Sequence, residues 1–150
     1  MINPSTLETL IGLAAKEVEK AAVVLGHTMR ACAETEQRLA LLIQYREDYV
    51  ERFQQNRKAG LSVLDYRNYL NFIDKLDEAI TAQQQIVTQA KERVEEARAV
   101  WQECEKKKSS YETLQERERI RQIKKENRRE QKEADEFNSR KARMDRLKQP

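Results

Sequence analysis

Apolar residues recur along this chain at alternating steps of three and four. One stripe reads Tyr66, Tyr69, Ile73, Leu76, Ile80, Gln83, Val87, Ala90, Val94, Ala97, Trp101, Cys104, Lys108 and Tyr111, with twelve of fourteen positions apolar or aromatic. A 3.5-residue repeat keeps one narrow face of an α-helix turned toward a partner helix. A second ladder precedes it: Ile11, Ala14, Val18, Ala21, Leu25, Thr28, Cys32, Thr35, Leu39, Leu42, Arg46, Tyr49 and Phe53, ten of thirteen apolar or aromatic. Its small members (Ala14, Ala21, Cys32) let an opposing helix come close. The pattern stops at Asn56-Arg57-Lys58-Ala59-Gly60. Arg57 and Lys58 complement a helix C-terminus, and Gly60 suits the left-handed residue that ends it. Ser62 and Asp65 offer a new start. A short loop between two helical ladders predicts an αα-hairpin. The expected fold is all-α: a long antiparallel two-helix coiled-coil hairpin forming a single domain over 1–150. Helix one covers about 5–57, the tip loop about 58–62 and helix two about 63–140.

Folding about Gly60 pairs residues whose numbers add to roughly 120. Helix one then runs out opposite residue 115, and helix two overhangs as a basic segment over 116–150. Ser5 with Glu8 has the form of a capping box for helix one. Gly12 and Gly26 each cost that helix roughly 1 kcal/mol against Ala. They are tolerated by a long seam, or Gly26 marks a kink or close contact. In this register Cys32 and Cys104 lie roughly 24 Å apart along the helices. A disulfide holds its Cα atoms within about 7 Å, so both cysteines are expected to be small seam residues.

Composition narrows the function. Of 150 residues, 37% are charged and 39% hydrophobic, with three glycines and two prolines, a profile of long helices rather than of an α/β domain. No apolar run reaches the roughly 18 residues of a membrane span. The N-terminus lacks the basic and apolar blocks of a secretion signal, which predicts a cytoplasmic protein. Residues 116–150 hold 13 Lys/Arg and 8 Asp/Glu, against 16 and 18 in the first 115. The interleaved acids argue against nucleic acid as partner. The one histidine, His27, has no ligand or nucleophile at suitable spacing. No Gly-rich phosphate loop occurs, and helical rods offer carboxylates no cleft in which burial could tune them. Neither an enzyme nor a cofactor or metal site is expected.

Two surfaces could carry function. Six of the nine aromatics lie between residues 45 and 72. The ladders use Tyr49, Phe53, Tyr66 and Tyr69 but not Tyr45 or Phe72. Phe72, Leu76, Ala79 and Gln83 form a stripe beside the seam, as do Leu42, Tyr45 and Tyr49 on helix one. Either these residues widen the seam, or they form an exposed apolar group of the kind that marks a protein partner. The second surface is the overhang, where Ile120, Ile123 and Phe137 stand among charges that would otherwise favour a solvated helix.

An ordered set of residues resembles the FliJ family of the bacterial flagellar type III secretion apparatus. It comprises Leu7-Glu8-Thr9-Leu10, Lys16-Glu17-Val18, Ala21-Ala22, Leu25-Gly26, Leu42-Ile43 with Tyr45 and Tyr49, and Asn68-Tyr69 with Phe72-Ile73, Leu76 and Ala79-Ile80. It continues with Thr113-Leu114-Gln115, Arg117, Glu126-Asn127-Arg128, Gln131-Lys132 and Asp135-Glu136-Phe137. The likeness runs from about residue 7 to 140. It implies a non-enzymatic stalk-like coiled coil for flagellum biogenesis and motility. Such a stalk has its terminal ends in the hexameric ring of the export ATPase FliI, contacts the export-gate membrane protein FlhA, and handles empty export chaperones. The resemblance places the chain at the cytoplasmic face of the inner membrane, at the flagellar basal body, peripheral to the membrane through the export apparatus. It maps the FlhA-contacting surface onto Leu42, Tyr45, Tyr49, Phe72, Leu76, Ala79 and Gln83. It makes Arg117, Ile120, Ile123, Arg128, Lys132 and Phe137 the candidates for the ATPase ring. Arg38 and Gln83 depart from the family pattern, where a Gln and a His stand; both are polar exchanges at the edge of the patch. The alternative is a structural coiled-coil scaffold that homodimerises through the same heptad ladders.

Overall fold

The computed structural model describes residues 3–149 and consists of two helices, α1 (Pro4–Ala59) and α2 (Val63–Leu147). The break between them is residues 60–62, shorter than the expected 58–62. Gly60 has a φ of 101°, the left-handed conformation that costs a side-chain-bearing residue about 1–2 kcal/mol. Its N–H donates to the Arg57 carbonyl at 3.3 Å, closing the last turn of α1. Ser62 then caps α2, its Oγ accepting from the Asp65 N–H at 3.2 Å.

The start of α1 differs from expectation. The cap is Asn3, not Ser5: Asn3 Oδ1 accepts from both the Ser5 N–H and the Ser5 hydroxyl, each at 3.1 Å. Pro4 takes the first helical position, where a missing N–H and a fixed φ cost nothing. α1 therefore begins before the predicted Ser5, and α2 continues past 140 to Leu147. Pro150, the last residue of the expected overhang, lies outside the described residues.

The chain divides into two compact units: Glu17–Cys104, and the residues up to Lys16 together with those from Glu105 on. The Glu17–Cys104 unit is an antiparallel helical hairpin. Its cross-helix pairs include Phe53 with Tyr66, Tyr45 with Phe72, Arg46 with Asp77, Thr35 with Gln83 and Glu36 with Lys91. This is the register in which residue numbers add to roughly 120. The buried seam is built from Ala21, Cys32, Phe53, Leu76, Val87, Ala90 and Ala97, all ladder positions. Side-chain volume grows toward the tip, from alanines to a cluster of rings. Polar ladder members are paired: Gln83 donates to the Thr35 carbonyl at 3.0 Å, and Arg46 forks onto the Asp77 carboxylate. Both cysteines are free, Cys32 buried and Cys104 half-buried in the seam.

In the other unit the most buried side chains are Leu7 and Ala14. Leu7 precedes Ile11 by four and extends the ladder one step beyond the predicted start. With Pro4 it faces Gln115, Glu118, Arg119, Gln122 and Ile123 across a cleft of about 330 Å³. Helix-one cover therefore reaches past residue 115, and the uncovered part of α2 begins later than the expected 116. From Arg119 to Gln149 every described residue is exposed.

Candidate partner-binding surfaces

The first candidate surface lies near the tip of the Glu17–Cys104 hairpin. Five rings form a continuous ladder there. Phe53 packs on Tyr66 and Tyr69 at centroid distances of 5.5 and 5.4 Å, and Tyr49 packs on Tyr69 and Phe72 at 5.2 and 4.5 Å. Tyr45 adds an edge contact to Phe72 at 6.3 Å. Rings at these separations and tilts attract beyond their area burial. Asn56 donates to the Tyr69 hydroxyl at 2.6 Å, which fixes the ring shared by Phe53 and Tyr49. Burial among these rings raises the Tyr49 phenol above its ordinary range, and the neighbouring Tyr69 and Tyr45 add to the shift.

The seven residues of the expected gate surface separate by depth. Leu76 is only 7% exposed and belongs to the seam, so it cannot present much surface to a partner. Leu42, Tyr49, Phe72, Ala79 and Gln83 are half-buried. Gln83 already spends its amide on Thr35. Tyr45 stands out at 54% exposed. Phe72 thus widens the seam through Tyr49 while Tyr45 lies over it and faces water. Leu41, 69% exposed, sits one turn from Tyr45 on α1 and was not singled out by the ladder spacing.

The second candidate surface is α2 beyond its cover. Glu116 grips Arg119, and Glu118 grips Arg121, each with two hydrogen bonds of 2.7–3.0 Å. These bonds hold both carboxylates below their usual range and both guanidiniums above theirs. Arg129 is flanked by Glu126 and Glu133. By contrast, Arg117, Arg128 and Lys132 make no ion pair among the described residues. Ile120, Ile123 and Phe137 are all exposed, Phe137 at 67%. Ile123 also lines the cleft beside Leu7, so it is divided between helix-one cover and solvent.

Sequence spacing missed a third feature. Ala21, Val24 and Thr28 of α1 face Ala97, Val100 and Cys104 of α2 across a shallow apolar groove of about 610 Å³, rimmed by Glu17, Lys20, Arg93 and Glu96. Val24 and Val100 flank the ladders rather than belonging to them. Their signal was two β-branched residues where a solvated flank would carry polar ones. His27, exposed, accepts at Nδ1 from the Arg30 guanidinium at 3.1 Å, and no metal-ligand cluster occurs among the described residues. No helix is long and apolar enough to cross a membrane among the described residues.

Comparison with known proteins fits this geometry. CT670 of Chlamydia trachomatis, described as a YscO homolog, shares the fold with a TM-score of 0.72 at 18% identity, covering 97% of this chain and 94% of that one. The Flagellar FliJ protein of Escherichia coli K12 is 37% identical over 142 residues, 95% of this chain and 97% of the relative. That of Salmonella typhi is 35% identical over the same length and shares. The family profile described as Flagellar FliJ protein matches residues 4–146, and with these relatives it settles that the chain belongs to the FliJ family.

Proposed function

We propose that this chain is the stalk-like coupler of the flagellar protein export apparatus, engaging the export ATPase ring with its terminal segments and the export gate with its tip-side aromatic surface. A FliJ-family chain is a flagellar protein and not an enzyme, so its chemistry is that of surfaces. The observation that carries the gate reading is Tyr45: a large ring, 54% exposed, seated edge-on against Phe72 next to a seam already closed by other rings. Half-exposed aromatics held rigid by their neighbours bind partners at low entropic cost. The ring reading is supported by the uncovered part of α2, where Arg117, Arg128 and Lys132 are free of ion pairs and Ile120 and Phe137 face water. FliI, FlhA and empty export chaperones are the partners this reading assigns, at the cytoplasmic face of the inner membrane.

The scaffold alternative needs the heptad ladders for a second chain. Within the Glu17–Cys104 unit those positions are spent on each other, which favours the coupler. The test is a pair of titrations. Tyr45→Ala should weaken binding to the isolated cytoplasmic part of the gate protein and leave ATPase binding intact. A chain ending at Ile123 should lose ATPase binding and keep the gate. Ending the chain at Gln115 would instead strip the cover from Leu7 and confuse binding with folding. Unchanged ATPase binding by the chain ending at Ile123 would remove the overhang from the ring.

A further inference from the structure

The hairpin tip carries a feature that neither candidate surface uses. Val63 and Leu64 open α2 with side chains 73% and 68% exposed, whereas Leu61, before them in the loop, is half-buried. The register explains why they are bare. The α1 positions opposite Val63 and Leu64 are Arg57 and Lys58, so no apolar partner faces them. Turn tips in water are ordinarily built from Gly, Asn, Asp and Ser; this one reads Gly60-Leu61-Ser62-Val63-Leu64.

Charge around the tip is one-sided. From Arg52 to Ile73 the chain has four cations (Arg52, Arg57, Lys58 and Arg67) and one acid, Asp65. This lies within a first 115 residues that hold more acids than bases, 18 against 16. The next acids, Glu51 and Asp74, are nine or more residues from Gly60 along their helices. At about 1.5 Å per residue that is beyond a Debye length of about 8 Å. Arg57 is held at the tip, its guanidinium carbon 6.0 Å over the Tyr66 ring. Aliphatic side chains pointing into water, ringed by cations, supply the two signals that reversible attachment to an anionic lipid surface requires. A groove on a protein partner would satisfy the aliphatics but gives no reason for the ring of cations.

We propose that the tip of the Glu17–Cys104 hairpin contacts lipid directly: Val63 and Leu64 enter the interface of an anionic bilayer, and Arg57, Lys58 and Arg67 meet its phosphates. The proposal does not depend on the gate reading. Where both hold, Tyr45 and Phe72 lie roughly 20 Å from the lipid surface along the hairpin, within reach of a membrane protein's cytoplasmic part.

The basic overhang could also attract anionic vesicles, so the test reads the tip itself. In a Trp101→Phe chain, Leu64→Trp places the single tryptophan at the tip. With vesicles of equal parts phosphatidylglycerol and phosphatidylcholine its emission should move to the blue and be quenched by brominated acyl chains. Phosphatidylcholine vesicles should do neither. Val63→Ser should cut the partitioning of this tip-tryptophan chain several-fold, and Arg57→Gln with Lys58→Gln about tenfold or more, with the residual binding lost in high salt. Vesicle binding with the tip tryptophan still in water would assign lipid contact to the overhang and overturn the proposal. Failure to bind anionic vesicles at all would do the same and leave the tip aliphatics to a protein.

Discussion

Leu76 and Tyr45 stand on the same expected surface but should respond oppositely to truncation. Leu76 is 7% exposed in the seam. Leu→Ala at buried sites costs about 2–5 kcal/mol. On a two-helix seam, with solvent on both flanks, neighbours can partly collapse, so the low end, about 2–3 kcal/mol, applies. For a chain of this size each 1 kcal/mol moves the melting midpoint by about 2–4 °C, and Leu76→Ala should lower it by roughly 5–10 °C. Tyr45 is already 54% in water and makes one edge contact, to Phe72 at 6.3 Å. Its loss should cost about 0.5–1 kcal/mol, a shift of roughly 1–3 °C. Thermal melts followed by circular dichroism measure both, alongside gate titrations with each variant held well below its midpoint. There Tyr45→Ala should bind weakly though folded, and Leu76→Ala should bind nearly as the parent. Equal loss of stability in the two variants would make Tyr45 a core residue and leave the gate surface without its main exposed ring.

Other outcomes follow from single positions. Gly60→Ala should destabilise the hairpin by about 1 kcal/mol, because φ there is 101° and an Ala side chain resists it; urea melts measure the difference. Gly26→Ala should do the reverse and stabilise by about 0.5–1 kcal/mol, since a Cβ there meets nothing within 4 Å and the helix gains propensity. Burial raises the Tyr49 phenol, so its contribution to stability is complete below the ordinary tyrosine range near pH ~10 and disappears as pH rises through the raised value. Ultraviolet titration should find one late-ionising tyrosine, absent in Tyr49→Phe, whose alkaline unfolding should be correspondingly shallower.

The helices and their register were legible because period alone decides them. An unbroken three-four spacing leaves one face to bury, and a glycine between two such ladders leaves one way to bury it. The start of α1 was less legible. Ser5 and Glu8 match a capping box, but Asn3-Pro4 is the stronger start, since Pro presets the first helical turn while Asn caps it. Leu7, helical with either start, stands four before Ile11 and is 2% exposed, so the ladder reaches one step further back than Ile11. The tip-side surface was only half legible. Spacing places Leu76 on the seam and on the patch stripe at once, and only the depth of packing against α1 decides between them. Val63 was hidden for another reason. The α2 ladder steps back from Tyr66 to Ser62, so Val63 falls one residue off it, with Arg57 and Lys58 across from it.

The same reasoning separates a coupler from a self-associating scaffold. Exchange of ladders between two chains would require opening the hairpin and exposing Phe53, Leu76, Val87, Ala90 and Ala97 before any replacement contact formed. A native monomer therefore has only its flanks for self-association, and the most apolar flank is the groove of Val24 and Val100, rimmed by Lys20 and Glu96. Sedimentation across concentration should find a monomer, or at most a weak dimer that Val24→Glu abolishes. Glu at that half-exposed flank leaves the seam untouched, so its melt should match the parent within about 0.5 kcal/mol. A dimer that persists in Val24→Glu and forms only after unfolding and refolding would mean that ladders do exchange between chains. The heptads would then be an assembly code rather than an internal clasp, and the free rings and cations near the tip would have to be read on a four-helix body.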